Sequence, residues 1–116
     1  MWIKIKVDQN TPIGSVLAYS SESSSWELAQ NLNTPPGVLE QITQDAITSE
    51  YYGVVRFAGV AFALADRAIP DEGGRLTVTN GRVYVDNTSD HCGIIAPLPN
   101  GQVSRLEGDL VMVHIR

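Results

Sequence analysis

The sequence predicts an all-β fold: an internally duplicated, compact barrel or sandwich of about ten short strands. Three observations carry that reading. The chain can be laid over itself as two copies, residues 1–58 and 59–116. Its dominant hydrophobic period is two, the period of a strand with one face inward and one outward. Gly, Pro and Asn clusters interrupt that period at short intervals, as a succession of tight turns requires.

The duplication is read residue by residue. Gly37–Gly59 falls on Gly93–Ile115 at a constant offset of 56, which places Val38-Leu39 on Ile94-Ile95 and Val54, Val55 and Phe57 on Leu110, Val111 and Val113. Upstream, Val7-Asp8 and Thr11-Pro12 match Ala65-Asp66 and Ile69-Pro70 at an offset of 58. Each copy next reaches a glycine and a short apolar run, Gly14–Leu17 and Gly74–Thr77. The offset falls because the Ser20–Ser25 loop is longer than its counterpart at Asn80-Gly81. A copy of about 58 residues alone would bury only about 60% of its unfolded surface. The expectation is therefore one domain, 1–116, whose halves share a core with two-fold pseudosymmetry.

Taken in order, Ile3, Ile5 and Val7 alternate with Trp2, Lys4 and Lys6, a first strand ending at the Thr11–Gly14 turn. The Ser20–Ser25 loop and the Asn33–Gly37 breaker bound the next runs. Leu39, Ile42 and Ala46 have helical spacing, but the matching stretch carries Pro97, Pro99 and Gly101, which would disrupt a helix, so both are read as extended. Tyr51–Ala65 is nearly all apolar and reads as two buried strands joined at a Gly59 kink. Leu76–Thr79 and Arg82–Val85 flank Asn80-Gly81, which predicts a hairpin with a type I′ turn. The final strand alternates Val111, Val113 and Ile115 with Leu110, Met112 and His114. Ala61, Ala63 and Ala65 replace Ile3, Ile5 and Val7, while Phe62 and Leu64 replace Lys4 and Lys6. That exchange of bulk predicts a central strand in the second copy and an edge strand in the first, guarded by its lysines.

Composition excludes several function classes. Eight basic residues against thirteen acidic ones give a net charge of −5, with no basic stripe to track a phosphate backbone, so nucleic acid is not an expected partner. No apolar run approaches the roughly 20 residues of a membrane span. Lys4 and Lys6 inside the first apolar stretch are wrong for a signal peptide, so a non-secreted protein is expected. The single Cys92 has no internal disulfide partner, which leaves packing to hold the core.

Reactive groups are few. Asp90-His91-Cys92 suggests a Cys nucleophile with a His base, yet adjacent residues of an extended chain point to opposite faces, and a turn with Cys92 as apolar filler explains the triplet as well. Two histidines and one cysteine without paired spacing fall short of a metal site. Asp71–Gly74 is acidic and lacks the Lys-Ser/Thr pair of a phosphate loop, and Glu107–Asp109 is a turn into a strand without the Ser-Lys pair of a peptidase. Asp8 and Asp66 occupy matching positions before Pro-containing turns and are read as Asx-type caps. No catalytic residue, metal or cofactor is expected. The aromatics, Tyr84 included, read mostly as packing, but Trp2, Trp26, Tyr51 and Tyr52, with Lys4 and Lys6 on the Trp2 face, are the candidate interface residues.

The phrases Pro12–Tyr19, Trp26–Ala29 and Pro36–Leu39, then Gly59–Ala61, Ile69-Pro70, Gly74–Val78, Asn80–Tyr84, Gly93–Ile95 and Gly108–Val111, give a β-turn-β rhythm. It resembles that of capsid decoration (cement) proteins of tailed bacteriophages and of β-rich phage fibre modules. The resemblance implies a non-enzymatic virion protein that binds the major capsid protein on the outer capsid lattice, often as a homotrimer, after assembly in the host cytoplasm. Tandem duplication departs from that pattern and leaves the oligomeric state open. The alternative is a tail-fibre or baseplate module whose Trp26 or Tyr51-Tyr52 stack on surface glycans, and a third class is a Cys hydrolase.

Overall fold

The computed structural model describes residues 2–30, 37–88 and 93–115, and the side chain of Trp2 lies outside the described set. The described residues form strands and turns with no helix: β1 (Trp2–Lys6), β2 (Val16–Ser20), β3 (Ser25–Leu28), β4 (Gly37–Gln44), β5 (Tyr51–Arg56), β6 (Gly59–Leu64), β7 (Gly74–Thr79), β8 (Arg82–Val85), β9 (Gly93–Ile95) and β10 (Leu110–Ile115). They build two antiparallel five-stranded sheets, ordered β1-β5-β4-β2-β3 and β6-β10-β9-β7-β8. Moving each label of the first sheet five places along reproduces the second, so the duplication read from sequence holds at the level of topology.

Register corrects the alignment. Val55 pairs with Ile3 and Leu39, and Val113 pairs with Ala61 and Ile95. Val55 therefore corresponds to Val113, two residues beyond the expected match. The connection into β10, residues 96–109, is longer than the 45–50 connection into β5 and absorbs the difference. Leu17 pairs with Leu28 as Leu76 pairs with Val85, so Leu17 matches Leu76 and the glycine-led runs align one residue differently. The hairpin expectation holds: Asn80 and Gly81 have φ of 49° and 73°, the two positive values a type I′ turn needs.

Two clusters fill the interior. The first sheet buries Ile5, Leu17, Leu39 and Val55, flanked by Val7, Trp26, Ile42 and Phe57. The second sheet encloses a larger cluster containing Ala63, Leu76, Val83, Ile95, Val111 and Val113, to which the first copy adds Val16, Ala29 and Val38. At about 1.5–3 kcal/mol for each fully buried aliphatic side chain, the second copy and the seam hold most of the apolar stabilisation. Bulk is exchanged across equivalent strand pairs. Ile5 faces Gly53 in the first copy, where Ala63 faces Val111 in the second. A Cβ on Gly53 would lie 2.5 Å from Leu39 Cδ1 and 3.0 Å from Val7 Cγ1, so the larger β1 side chains need glycine opposite them.

The expected central position of β6 is not found, since β6 ends its sheet order as β1 does. Its far side is tied in another way. The Asp66 N–H donates to Val83 O at 2.8 Å, and Ala65 and Val83 form a parallel bridge that curls the sheet toward closure. The equivalent gap in the first copy is an open groove of about 470 Å³ between Val7-Asp8 and Ser25-Trp26.

The seam between copies also departs from a two-fold. The Pro12–Ser15 turn, closed by Ser15 N–H to Pro12 O at 3.1 Å, presents Gly14 to the second copy, and Gly14 O accepts the Leu64 N–H at 2.9 Å. Gly14 has φ +92°, and a Cβ there would lie 2.5 Å from Leu110 Cδ2. Gly81 O accepts the Val16 N–H, and the Gly81 N–H donates to Ala29 O, both at 2.8 Å. These contacts are not reciprocated among the described residues. The matching Pro70–Gly73 turn lies against its own Ile95 and Ala96, and the Arg75 N–H is taken by Asn87 Oδ1 at 2.9 Å. One copy docks its back on the front of the next, a heterologous arrangement.

Candidate functional site

Alternation along β6 and β10 buries Ala61, Ala63, Val111 and Val113 and turns Val60, Phe62, Leu110 and Met112 outward. Cross-strand pairing sets Met112 beside Phe62, and His114 beside both Val60 and Ile94 of β9. The result is an apolar face centred on Phe62, Leu110 and Met112, with His114 between Val60 and Ile94. Phe62 is 56% exposed, Leu110 52% and Met112 40%. Contiguous exposed apolar surface of this kind marks interaction sites in folded proteins.

Beside that face runs an open cleft of about 510 Å³, floored by Phe62, Leu110 and Met112 and walled by Pro97, Leu98 and Val103. The cleft is held open by local bonds. Arg105 donates to Ala96 O at 2.5 Å and to Pro70 O at 2.8 Å, and the Leu98 N–H donates to Asp71 O at 2.6 Å. Two prolines at the wall remove backbone donors and restrict φ, which keeps the segment extended without a strand partner. A smaller hollow, bordered by Ile13 and Glu40, continues from Phe62 and Leu110 toward the first copy.

Several of the same positions in the first sheet are polar, although Met112 matches Val54. By register, Phe62 corresponds to Lys4, Leu64 to Lys6 and Leu110 to Tyr52. Of the residues expected at an interface, Lys4, Lys6 and Tyr52 do come together. The Lys4 ammonium lies 5.4 Å from the Tyr52 ring centroid, Lys6 pairs with Glu50 at 2.8 Å, and the Tyr52 hydroxyl donates to Glu50 at 2.8 Å. The Lys6 hydrogen bond, then the Tyr52 hydrogen bond, lower the Glu50 pKa. Glu50 in turn raises both Lys6 and Tyr52. Nearby Asp45 is lowered by the Thr48 and Ile47 N–H groups it caps.

Trp26 does not join them. It is half-buried, with its ring 5.4 Å from Phe57 and 5.7 Å from Tyr19. Tyr51 is half-buried on the opposite face of β5 from Tyr52, and its carbonyl accepts the Val7 N–H. Trp2 pairs through its backbone with Arg56, and its side chain is outside the description. Asp90-His91-Cys92 lies outside the described residues. Asp8 caps the Asn10 N–H as expected, whereas Asp66 pairs with Arg67 instead. Among the described residues no three His, Cys, Asp or Glu side chains are grouped to hold a metal.

The sequence reading missed Phe62, Ile94, Leu110 and Met112 as surface residues. The signal is the replacement of Lys4 and Lys6 by Phe62 and Leu64, which burial in a central strand explains equally well from sequence alone. Comparison with protein-family models, curated proteins and solved structures finds no match for this chain.

Proposed function

We propose that this chain is a non-enzymatic virion protein that decorates a phage capsid, seating the Phe62–Met112 face on the major capsid protein of the outer lattice. The observation that supports this reading is the one-sided divergence of the copies: the outward face of β6 and β10 carries Phe62, Leu64 and Leu110 where the matching face of β1 and β5 carries Lys4, Lys6 and Tyr52. A face kept apolar in water costs solubility, and a protein partner that covers it recovers about 25 cal/mol per Å² of apolar area buried. Many modest sites acting on one lattice add through multivalency. The glycan-binding alternative draws less support, because Trp26 is wedged between two rings and the Lys4 ammonium stands over Tyr52.

The test is co-sedimentation with undecorated capsids, using the intact protein and a Phe62→Asp/Met112→Asp variant. Saturable binding by the first and none by the second is expected. Absence of saturable binding by the intact protein overturns the capsid reading, and equal binding by the variant overturns the assignment of the face.

A further inference from the structure

Part of the seam within the chain, the Pro12–Ser15 turn set against the end of β6, has both its sides repeated at the ends of the molecule, whereas the Gly81 part does not, since Asn87 takes the Arg75 N–H. The docking turn Pro12–Ser15 has its copy in Pro70–Gly73, so Ile13 and Gly14 correspond to Asp71 and Glu72. The receiving face, Phe62 and Leu64, has its copy in Lys4 and Lys6. Inside the chain this contact is apolar: a Cβ on Gly14 would lie 2.5 Å from Leu110 Cδ2 and 3.1 Å from Leu64 Cγ. In the outer pair the turn has become acidic and the strand carries Lys4 and Lys6, with Glu50 paired to Lys6 and Asp45 within electrostatic reach of Lys4. Both carboxylate residues and both lysines are exposed, and neither Lys4 nor Asp71 nor Glu72 makes an ion pair among the described residues.

We propose that a second copy of this chain occupies the β1 face, its Asp71-Glu72 turn set against Lys4 and Lys6 in a head-to-tail contact that repeats the turn-on-strand part of the internal seam. A heterologous contact leaves the same two surfaces at the ends of any stack, so association continues until a ring closes or a filament forms. Opposite charges at equivalent positions favour this partner over a mere solubilising cap, since ends kept apart would carry like charges. Lys6 keeps Glu50 as a neighbour and Lys4 keeps Tyr52, so the basic face is held in place before docking. This inference does not depend on the capsid reading.

Sedimentation velocity of the full chain tests it at about 10 mM and about 1 M salt, where the screening length is roughly 30 Å and 3 Å. Species larger than the monomer are expected at low salt and not at high salt. The charge-reversed variants Lys4→Glu/Lys6→Glu and Asp71→Lys/Glu72→Lys each carry like charges at both ends. Each alone should associate at least about tenfold more weakly than the unchanged chain. An equimolar mixture of the two restores opposite charges at both contacts and should re-form the larger species. A chain that stays monomeric at low salt overturns the proposal. So does association that survives both reversals, or a mixture that fails to recover it. Circular dichroism of each variant confirms that the sheets are intact.

Discussion

Replacing Gly93 with alanine puts the β9–β10 register to a direct test. Gly93 sits opposite Ile115, and a Cβ on it would fall 2.0 Å from His114 O and 3.1 Å from Ile115 Cα. Both obstacles are backbone, so no rotamer change relieves them. Reaching an ordinary carbon–oxygen contact of about 3.2 Å moves the strands about 1 Å apart, a large fraction of the spacing a ladder tolerates. The hydrogen bonds at that end of the three-pair β9–β10 ladder are then lost, at about 1 kcal/mol each, and the contact between buried Ile95 and Val113 loosens. Against a loss of about 3 kcal/mol, alanine returns about 0.5 kcal/mol by restricting the unfolded chain. The net cost of about 2–3 kcal/mol corresponds to a fall in Tm of about 10 °C for a chain this size. Gly37, the equivalent position, meets the side chains of Val55 and Phe57 instead, at 2.3 and 2.8 Å, and side chains yield more readily than a paired backbone. Gly37→Ala should therefore cost less, about 1–2 kcal/mol. Gly101→Ala and Gly108→Ala serve as controls, because both have φ +85° with open space around them and pay only about 1 kcal/mol of backbone strain. Urea titration with a common m-value ranks the four. A Gly93→Ala cost under about 1 kcal/mol would refute the register argument.

Three further outcomes are expected. Gly53→Val alone should cost about 1–3 kcal/mol by overpacking Leu39 and Val7, and adding Val7→Ala should recover part of it, since the pair then copies Val111 and Ala65; additive costs in a double-mutant cycle would refute the exchange of bulk. Hydrogen exchange should open the 2–7 amides before the 60–65 amides, because the far side of β6 is tied to Gly14 and Val83 while β1 borders an open groove; the reverse order would be inconsistent with that difference. Glu50 is lowered in the folded state, so its stabilising effect is full above its ordinary 4.5 and is lost as pH falls through the lower folded value. Lys6 and Tyr52 are raised, so theirs is full below 10.0 and is lost as pH climbs through the folded values. Glu50→Gln should flatten both limbs of the stability–pH curve, and an unchanged curve would remove the cluster from the account.

The elements and the duplication were legible in the sequence because strand period, glycine turns and the Asn80-Gly81 hairpin are local signals, whereas strand pairing is a non-local property and the order of each sheet was not. Register in β10 was not. A shift of two residues along a strand returns every side chain to the same face, so matching Val55 to Val111 or to Val113 leaves the same hydrophobic pattern. The two-fold expectation failed for a related reason: sequence shows that two copies exist, while how they dock depends on which turn finds which face. Phe62 misled because apolar residues on both faces of a strand look alike whether the second face is covered by the same chain or awaits another. Lys4 and Lys6 do face outward, because charge on an alternating strand has one outlet, toward water.

The strand order has a consequence for synthesis. In each sheet the last strand made, β5 or β10, lies between the first and fourth, so neither ladder closes until its fifth strand leaves the ribosome. The first unit completes itself at Arg56, while the strands that will cover Val16, Ala29 and Val38 are still being translated. For that interval the nascent chain carries an apolar flank shaped for the second copy, its own or that of a chain further along. On a polysome, neighbouring nascent chains offer such copies, so the second half must emerge and dock before a neighbour does.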